Sequence, residues 1–280
     1  MASSEPAAIE LLTQADLPDC LALSTRAPWN QTEHDWRIFF DQGSVWGIHR
    51  KGSVVACAAL LPYPPDSAWV SMVLTAKSER GRGHAGRLAA VAMDDSARHG
   101  LSPQLDATPE GEPIYCQLGF RTVAHLTRWR YTPPAQKQPG HSLGQSADLT
   151  QAELEVVCRL DASSVGFARP DFLRHLAKRG PAAVESAAFA LSRDGRTAHH
   201  IGPIAAENVK DAEIVAETLL QRLGNDQPVI VDAFDSPNGL AGFLQGHGFA
   251  PERQFMRMVK GAAPRAELAR YFAAAGPEFG

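Results

Sequence analysis

The chain has 280 residues, of which 44% are hydrophobic and 21% are charged, and its formal net charge at pH 7 is −4. That length and apolar content suffice for two domains of about 130 to 150 residues, each with its own core. The slightly acidic balance offers no general electrostatic surface for nucleic acid, so we expect no nucleic-acid partner.

No segment of the sequence predicts secretion or membrane insertion. The opening residues, MASSEPAAIELL, lack the basic stretch and apolar run of a secretory signal, and no window approaches the roughly 18 apolar residues of a transmembrane helix. The four cysteines, Cys20, Cys57, Cys116 and Cys158, show neither CxxC nor cysteine–histidine ligand spacing. We therefore expect a cytoplasmic protein with no membrane partner, no metal, and free thiols that are mostly buried, Cys116 among them.

The first elements in the chain predict a mostly antiparallel sheet with helices. AIELLT is a short strand, residues 14–25 and 31–41 are helices, and Thr32 and Gly43 lie at the two ends of the second helix. Three strands separated by short turns follow, which is typical of an antiparallel meander. Their sequences are SVWGIHR, SVVACAALL and AWVSMVLTA.

A loop rich in arginine and glycine, KSERGRGHAG, comes after these strands and leads into a helix from about Gly83 to Arg98. A strand (PQLDA), a short helix (GEPIYCQLG) and a closing strand or hairpin (FRTVAHLTRWRY) follow it.

A stretch rich in proline, glycine, glutamine and serine, residues 131–146, predicts a linker. We therefore predict one domain over residues 1–133, a linker over 134–147, and a second domain over 148–280 that ends in a helix.

The second part of the chain repeats the end of the first. LDAT…YCQLGF in residues 105–120 matches VDAF…FLQGHGF in residues 231–249, which indicates two similar α/β units in tandem. The second unit has no arginine–glycine loop. Leu244 stands five residues before Phe249, where the first unit has a tyrosine five residues before its own phenylalanine.

The loop SERGRGHAGRL allows three interpretations, and in the simplest it is three arginines on a solvated turn that binds nothing. Gly81, Gly83 and Gly86 match a dinucleotide-binding fingerprint, and Asp106 follows 20 residues after Gly86, where that fold carries an acidic residue. Four polar residues, KSER, separate the strand from Gly81, however, and the fingerprint needs a tight turn after a parallel strand. A nicotinamide-dependent oxidoreductase is therefore favoured only if residues 44–76 form a parallel sheet.

In the third interpretation, the loop is a nest of backbone N–H groups at the positive end of a helix. Glycines let such a backbone approach a pyrophosphate closely, and arginines add positive charge. The spacing that matters here is Arg80-x-x-Gly83-x-Ala85.

These motifs closely resemble the GNAT superfamily of N-acetyltransferases. The [Gln/Arg]-x-x-Gly-x-[Gly/Ala] signature falls on Arg80, Gly83 and Ala85. The later signature, a tyrosine followed by Leu-Gly-Phe, begins at Tyr115 and ends at Phe120. The resemblance covers about the first 130 residues. It implies the GNAT fold, an α/β (α+β) fold whose mixed, mostly antiparallel sheet is flanked by helices.

The whole chain also resembles a bacterial subfamily in which a degenerate GNAT-like domain follows the active one. The segments SVGFARPDFLRHL and IGPIAAENVKDAEIV resemble that second domain. The fold is then present twice in tandem, and the second unit is not a second catalyst.

The resemblance implies acetyl-CoA as co-substrate and no metal. Backbone groups of Met72, Val73 and Leu74 would hold the pantetheine and the thioester carbonyl. Tyr115 would protonate the leaving thiolate. The loop would take the pyrophosphate, with His84 contributing only its backbone N–H and Arg80 or Arg82 adding a side-chain contact. The loop residues are Arg80, Gly81, Arg82, Gly83, His84, Ala85 and Gly86.

The predicted activity is acetyl transfer to a primary amine of a small molecule or a protein, and a homodimer is compatible with it. Trp29 and Asn30 lie where GNAT enzymes hold the acceptor. Asp106 either accepts the proton of the amine or binds the amine, or else it hydrogen-bonds backbone at the end of its strand. The alternative from another functional class is a coenzyme A-binding sensor without catalysis, and Tyr115 argues against it.

Overall fold

One sheet of twelve strands runs through the computed structural model, which describes residues 7–134, 149–224 and 227–280. We call residues up to 134 the first half and residues from 149 onward the second half. Apart from Pro134, the predicted linker lies outside the described residues.

The first half has the predicted order of elements. Its strands and helices are β1 (Glu10–Leu11), α1 (Leu17–Arg26), α2 (Glu33–Gln42), β2 (Ser44–Arg50), β3 (Ser53–Tyr63), β4 (Ser67–Thr75), α3 (His84–Arg98), β5 (Ser102–Ala107), α4 (Glu112–Gln117) and β6 (Arg121–Tyr131). Thr32 caps α2 and Gly43 ends it, as the sequence predicts. The last element, β6, is one continuous strand and not a hairpin.

The second half repeats this plan with variations. Its elements are α5 (Gln151–Val165), α6 (Pro170–Ala177), β7 (Ala182–Glu185), β8 (Ala188–Arg193), β9 (His199–Ala206), α7 (Val209–Leu223), β10 (Val229–Phe234), α8 (Ala241–Gly246), β11 (Ala250–Val259) and β12 (Tyr271–Ala273).

The sheet is mixed and mostly antiparallel, which confirms the predicted fold class. Strands β2, β3 and β4 form the antiparallel meander that the short turns predict. Alternate residues of β3 face different cores. The even-numbered ones from Ala56 to Leu60 pack with α3, and the odd-numbered ones from Cys57 to Leu61 pack with α1 and α2.

The two halves exchange their last strands. The order of neighbours is β5, β11, β6, β10, so β11 of the second half pairs with β5 of the first, and β6 pairs with β10. The strands β6 and β11 pair antiparallel with each other. The hydrogen-bonded sheet of each half is therefore completed by the other half.

Two pairs of parallel strands diverge, one in each half. Strand β4 pairs with β5 only from Ser67 to Trp69, and the gap beyond stays open. Strands β9 and β10 pair over three residues in the same way, but β12 then pairs with both of them. The opening in the second half is thus filled by the chain itself.

The prediction that the second domain ends in a helix is wrong. Residues 268–270 form a single 3-10 turn, and the short strand β12 follows it. The segment AELARYFAAAG has high helix propensity, but its residues from Tyr271 to Ala275 are buried between strands that still need backbone partners. Tertiary pairing therefore overrides the local preference.

Candidate active site

The opening between β4 and β5 leads into a cavity of about 260 Å³. Its wall combines the loop before α2, strands β4 and β5, helices α3 and α4, and residues of the second half. The lining residues are Trp29, Asn30, Gln31, Val70, Ser71, Met72, Val73, Ala85, Ala89, Leu105, Asp106, Ala107, Thr108, Gly111, Ile114, Tyr115, Arg128, Arg253, Phe255, Pro277 and Glu278.

Strand β4 carries a bulge at the cavity. Its register against β3 jumps so that Met72 and Val73 stand opposite Ala58 alone. Met72 has a φ of +52°, which is costly for a residue with a side chain. The Cys57 thiol donates to the Met72 carbonyl over 3.4 Å. The bulge releases backbone groups of this segment from the ladder, so they are available to a ligand in the opening.

The glycine loop is open toward solvent at the start of α3. Gly81 and Gly83 have φ values of +77° and +73°, and a Cβ added at either would meet no atom within 4 Å. Gly83 is the N-cap residue of α3. The loop can therefore present backbone N–H groups at the positive end of a helix, which fits an anionic ligand such as a pyrophosphate.

The side chains of this loop differ in their surroundings. Arg80 donates through Nε to the Thr75 carbonyl over 3.5 Å, and the exposed Arg82 lies 3.3 Å from the Glu79 carboxylate. The His84 ring is buried and lies 3.5 Å from the same carboxylate. Of the predicted loop residues, only Ala85 lines the cavity.

Tyr115 stands on α4 with its ring edge toward Phe120, at a centroid distance of 5.8 Å. Burial raises the pKa of Tyr115 to about 12. In the part of the chain that the structure describes, no group hydrogen-bonds its hydroxyl. The phenol therefore stays protonated at neutral pH and is free to donate to a ligand.

Asp106 lines the cavity but is held in an ion pair that the sequence analysis did not anticipate. Both of its carboxylate oxygens accept from Arg257 of β11, each over 2.9 Å, and its side chain is 1% exposed. The exchanged strand supplies this partner, and local sequence spacing carries no sign of it.

Trp29 and Asn30 both reach the cavity, and Asn30 also joins the two halves. Its Oδ1 accepts from the Thr197 and Ala198 backbone N–H groups over 2.8 and 3.0 Å, and its Nδ2 donates to the Ala198 carbonyl over 3.0 Å. Trp29 is half-buried on the cavity wall. Asn30 therefore fixes the loop that carries Trp29.

The cavity thus brings together seven residues predicted from sequence, namely Trp29, Asn30, Met72, Val73, Ala85, Asp106 and Tyr115. Leu74 is buried in the core beside it. Sequence reasoning missed the contributions of the second half, Arg253, Phe255, Pro277 and Glu278, because no motif marks them. The expectation that Cys116 is buried is wrong, since this thiol is exposed on α4.

The second half has no equivalent arrangement in its described residues. Leu244, at the position of Tyr115, is buried in the core. Asn208 is the N-cap residue of helix α7, and its side chain accepts from the Asp211 N–H, so the first turn is capped internally. Strand β12 occupies the place where the first half has its opening. These features support a degenerate second unit.

None of the helices in residues 7–134, 149–224 and 227–280 is both long and apolar enough to cross a bilayer. No group of three or more His, Cys, Asp or Glu side chains within those ranges is arranged to hold a metal ion.

Several solved structures share the fold of the whole chain. A putative acetyltransferase from Pyrococcus horikoshii has a TM-score of 0.81 at 17% identity, with 100% of this chain and 98% of that one covered. A tandem GNAT protein from the clavulanic acid biosynthesis pathway has a TM-score of 0.64 at 15% identity, covering 92% and 100%. A GCN5-related N-acetyltransferase from Sphaerobacter thermophilus has a TM-score of 0.62 at 14% identity, covering 96% and 99%.

Family models match each half separately. The acetyltransferase (GNAT) family model matches residues 10–120, and an acetyltransferase (GNAT) domain model matches residues 157–273. No curated protein sequence is significantly similar to the chain. With a GNAT match in each half and the fold of tandem GNAT structures, the chain belongs to the GNAT superfamily of acetyltransferases as a tandem, two-domain member.

Proposed function

We propose that this protein is an acetyl-CoA-dependent N-acetyltransferase that moves the acetyl group to a primary amine by direct attack on the thioester. The observation that carries the proposal is the composition of one cavity. It joins the bulged backbone at Met72 and Val73, the first turn of α3, and the free hydroxyl of Tyr115.

The acetyl donor would lie in the opening between β4 and β5. The loop from Gly81 to Gly86 would bind the pyrophosphate through its backbone N–H groups. A backbone N–H of the β4 bulge would donate to the thioester carbonyl, and such a donor can stabilise the oxyanion of the transition state by about 3 kcal/mol.

Tyr115 would act as the general acid. The coenzyme A thiolate leaves when the C–S bond breaks, and a phenol that is protonated at neutral pH can donate to it. Burial brings the pKa of Tyr115 to about 12, so the phenol is protonated at neutral pH, as a proton donor must be. No covalent enzyme intermediate is required.

The two alternative functions, a coenzyme A sensor and a nicotinamide-dependent oxidoreductase, require different features of the structure. A sensor that binds coenzyme A without catalysis would not need the Tyr115 hydroxyl in the cavity. The nicotinamide-dependent oxidoreductase was favoured only for a parallel sheet over residues 44–76, whereas β2, β3 and β4 pair antiparallel. The acetyltransferase is therefore the function that the geometry supports best.

Thermal unfolding with and without acetyl-CoA, with NAD and NADP in parallel, tests the proposal. A ligand at 100 times its Kd adds about 2.7 kcal/mol, which is a shift of several degrees for domains of this size. We expect a shift with acetyl-CoA alone, and we expect Gly83→Trp to abolish it.

Gly100→Trp is the matched control. Gly100 has a φ of +70°, lies at the other end of α3, and has the same open surroundings as Gly83. It should keep the acetyl-CoA shift. A shift with NAD or NADP in place of acetyl-CoA would overturn the proposed function.

A further inference from the structure

Two carboxylates line the cavity, and they differ in what holds them. Both oxygens of Asp106 accept from Arg257, so this carboxylate is fully engaged. Glu278 is 4% exposed, and its Oε1 accepts from Arg193. Its Oε2 has no hydrogen-bond partner among the described residues. A buried carboxylate oxygen without a donor is costly, which points to a donor that a ligand supplies.

The segment that carries Glu278 is held firmly in place. Trp69 donates through Nε1 to the Pro277 carbonyl over 3.0 Å, and Tyr63 donates to the Phe279 carbonyl over 3.0 Å. Arg169 donates to the Phe279 and Gly280 carbonyls over 2.7 and 2.9 Å. The chain thus runs from β12, in the filled opening of the second half, into the cavity of the first half.

We propose that Glu278 binds the ammonium group of the acceptor and takes its proton. This inference rests on the proposed function and adds to it the class of acceptor, a small primary alkylamine that is cationic at neutral pH. The site is complete only with the second half, which would explain why a degenerate domain is kept.

The protons balance in such a step. The acceptor ammonium loses one proton to Glu278, its nitrogen lone pair then forms the C–N bond, and the C–S bond breaks as Tyr115 protonates the thiolate. The nitrogen loses its second proton as the amide forms, and this proton returns Tyr115 to the phenol. Glu278 releases the first proton to solvent, so the products are the amide, the coenzyme A thiol and one proton.

The surroundings of Glu278 fit a cation. The charged and titratable groups that interact with it come from four different elements and include both signs. They are Asp106 on β5, Arg128 on β6, Arg193 on β8 and His200 on β9. Burial lowers the pKa of His200, which keeps that ring neutral. Arg128 binds Asp232, and Arg193 binds Oε1 of Glu278 through Nη2 while its Nη1 lies 3.4 Å from Asp35 Oδ1. The Nε and Nη1 of Arg193 have no hydrogen-bond partner among the described residues, and neither does Oε2 of Glu278.

The lining of the cavity fits an acceptor with an apolar part. The cavity opens between β4 and β5, beyond their last paired residues. The aromatic and apolar side chains that line the same cavity as Glu278, including Trp29, Phe255 and Pro277, suit the hydrocarbon part of an alkylamine.

The test is thiol release from acetyl-CoA by the full-length protein, with methylamine, n-butylamine and benzylamine as probes. We expect the wild type to acetylate at least one of them. Glu278→Gln should lower kcat/KM for the amine by about 10²- to 10⁴-fold, the usual contribution of a general base. Glu185→Gln, the same change at an exposed position on β7, should leave it unchanged.

The pH profile separates a proton acceptor from a merely structural carboxylate. The wild type can use the ammonium form, so its kcat/KM should be nearly flat from neutral pH up to the pKa of the amine. Glu278→Gln can use only the free amine, so its kcat/KM should rise about tenfold per pH unit over that range.

Each result then has a definite meaning. No thermal shift with acetyl-CoA overturns the proposed function itself. A shift without acetylation of any probe overturns the acceptor class inferred here. An active wild type with Glu278→Gln within threefold of it and an equal pH slope overturns the role of Glu278 alone.

If Glu278→Gln does not fold, Glu278→Asp decides the question, because it keeps the charge beside Arg193. It withdraws the carboxylate by one methylene, and a misplacement of about 1 Å can cost on the order of 10²-fold. We expect a tenfold or larger loss of kcat/KM with the affinity for acetyl-CoA retained. Wild-type activity in Glu278→Asp would overturn the proposal.

Discussion

Removing the hydroxyl of Tyr115 tests its role in catalysis separately from the binding of acetyl-CoA. Tyr115→Phe keeps the ring and its contact with Phe120 but removes the proton donor. Loss of a general acid typically costs about 10²- to 10⁴-fold in rate. We expect such a fall in kcat, measured by thiol release, with the affinity for acetyl-CoA nearly unchanged.

The control for this prediction is Tyr131→Phe. Tyr131 packs against Phe249 at a centroid distance of 5.7 Å, at a position that does not line the cavity. Its loss of a hydroxyl should leave kcat at the wild-type value. Unchanged turnover in Tyr115→Phe would remove Tyr115 from the mechanism and favour proton transfer through water.

Asn30 is expected to act on both stability and acceptor binding. Asn30→Ala removes the acceptor of the Thr197 and Ala198 N–H groups and leaves the buried N–H of Ala198 unpaired. Leaving a buried donor unsatisfied costs about 1 to 3 kcal/mol, so we expect a loss of that order in urea unfolding. The KM for the amine should rise, because Trp29 is then held only by the hydrogen bonds of its own backbone with Ser24 and Arg196.

Asn208→Ala provides the comparison for Asn30→Ala. Asn208 caps α7, and losing an N-cap costs about 1 kcal/mol. This variant should be less stable than the wild type but should keep the same KM for the amine. An equal change of KM in both variants would show that the effect of Asn30→Ala is general destabilisation.

At the scale of elements, two glycines at the start of α3 differ in backbone conformation, so their replacement by alanine should change stability in opposite directions. Gly86 lies inside the first turn of the helix, has no positive φ, and a Cβ there would meet no atom within 4 Å. Gly86→Ala should therefore raise the free energy of unfolding by about 0.5 to 1 kcal/mol. Urea unfolding measures this gain.

Gly83→Ala should have the opposite sign. Its φ of +73° is unfavourable for alanine, and we expect a loss of about 1 kcal/mol. A loss of stability in Gly86→Ala would instead indicate a close approach at this position. That approach is what the third glycine of a dinucleotide fingerprint provides, and the open surroundings of Gly86 argue against it.

Elements that depend on local signals could be predicted from the sequence. The bounds of β2 and β3 follow nearly as predicted from the alternation of apolar residues, and those of α2 from Thr32 and Gly43. Neighbours in the chain determine these bounds. The glycine loop and Tyr115 could also be found, because a motif fixes their spacing.

The remaining features depend on distant parts of the chain. The alternation of β6 and β11 suits any antiparallel partner, so the sequence of one strand does not indicate the exchange. The partner of Asp106 is 151 residues away, on the exchanged strand. Glu278 lies in AAAGPEFG, a segment without a motif, and reaches the cavity only because β12 fills the second opening.

At the scale of the whole molecule, buried ion pairs cross between the halves, and two of them involve the exchanged strands. Asp106 of the first half pairs with Arg257 of the second, and Asp232 of the second pairs with Arg128 of the first. Both arginines stand on the exchanged strands. These pairs therefore link the exchange to the stability of each half.

The Asp232 pair predicts an acid dependence of stability. Burial opposes ionisation of Asp232, but Arg128 and His200 outweigh it and hold its pKa well below the usual range. Because this pKa is lower in the folded than in the unfolded state, the ionised carboxylate stabilises the folded protein above about pH 4. This stabilisation is lost as the pH falls further. The free energy of unfolding, measured by urea at several pH values, should fall in this range.

Asp232→Asn should be destabilised by about 3 to 5 kcal/mol at neutral pH, because Arg128 is left buried without its counter-charge. Its difference from the wild type should shrink as the pH falls below about 4. Asp171→Asn, which breaks the exposed pair with Arg174, should cost at most about 1 kcal/mol. A pH-independent difference for Asp232→Asn would contradict the electrostatic explanation.

The exchange of strands also predicts that neither half folds alone. A fragment of residues 1–134 lacks β11, so β5 and β6 lose the strand that lies between them, and Asp106 loses Arg257. A fragment of residues 149–280 lacks β6, which leaves β10 without its neighbour and Asp232 without Arg128. Unpaired strand edges and buried charges without partners both oppose folding.

Circular dichroism and size-exclusion chromatography should show each fragment to be unfolded or aggregated, whereas the two fragments produced together should form one folded complex that binds acetyl-CoA. Cooperative unfolding of either fragment as an isolated monomer would show that the exchange is not needed for folding.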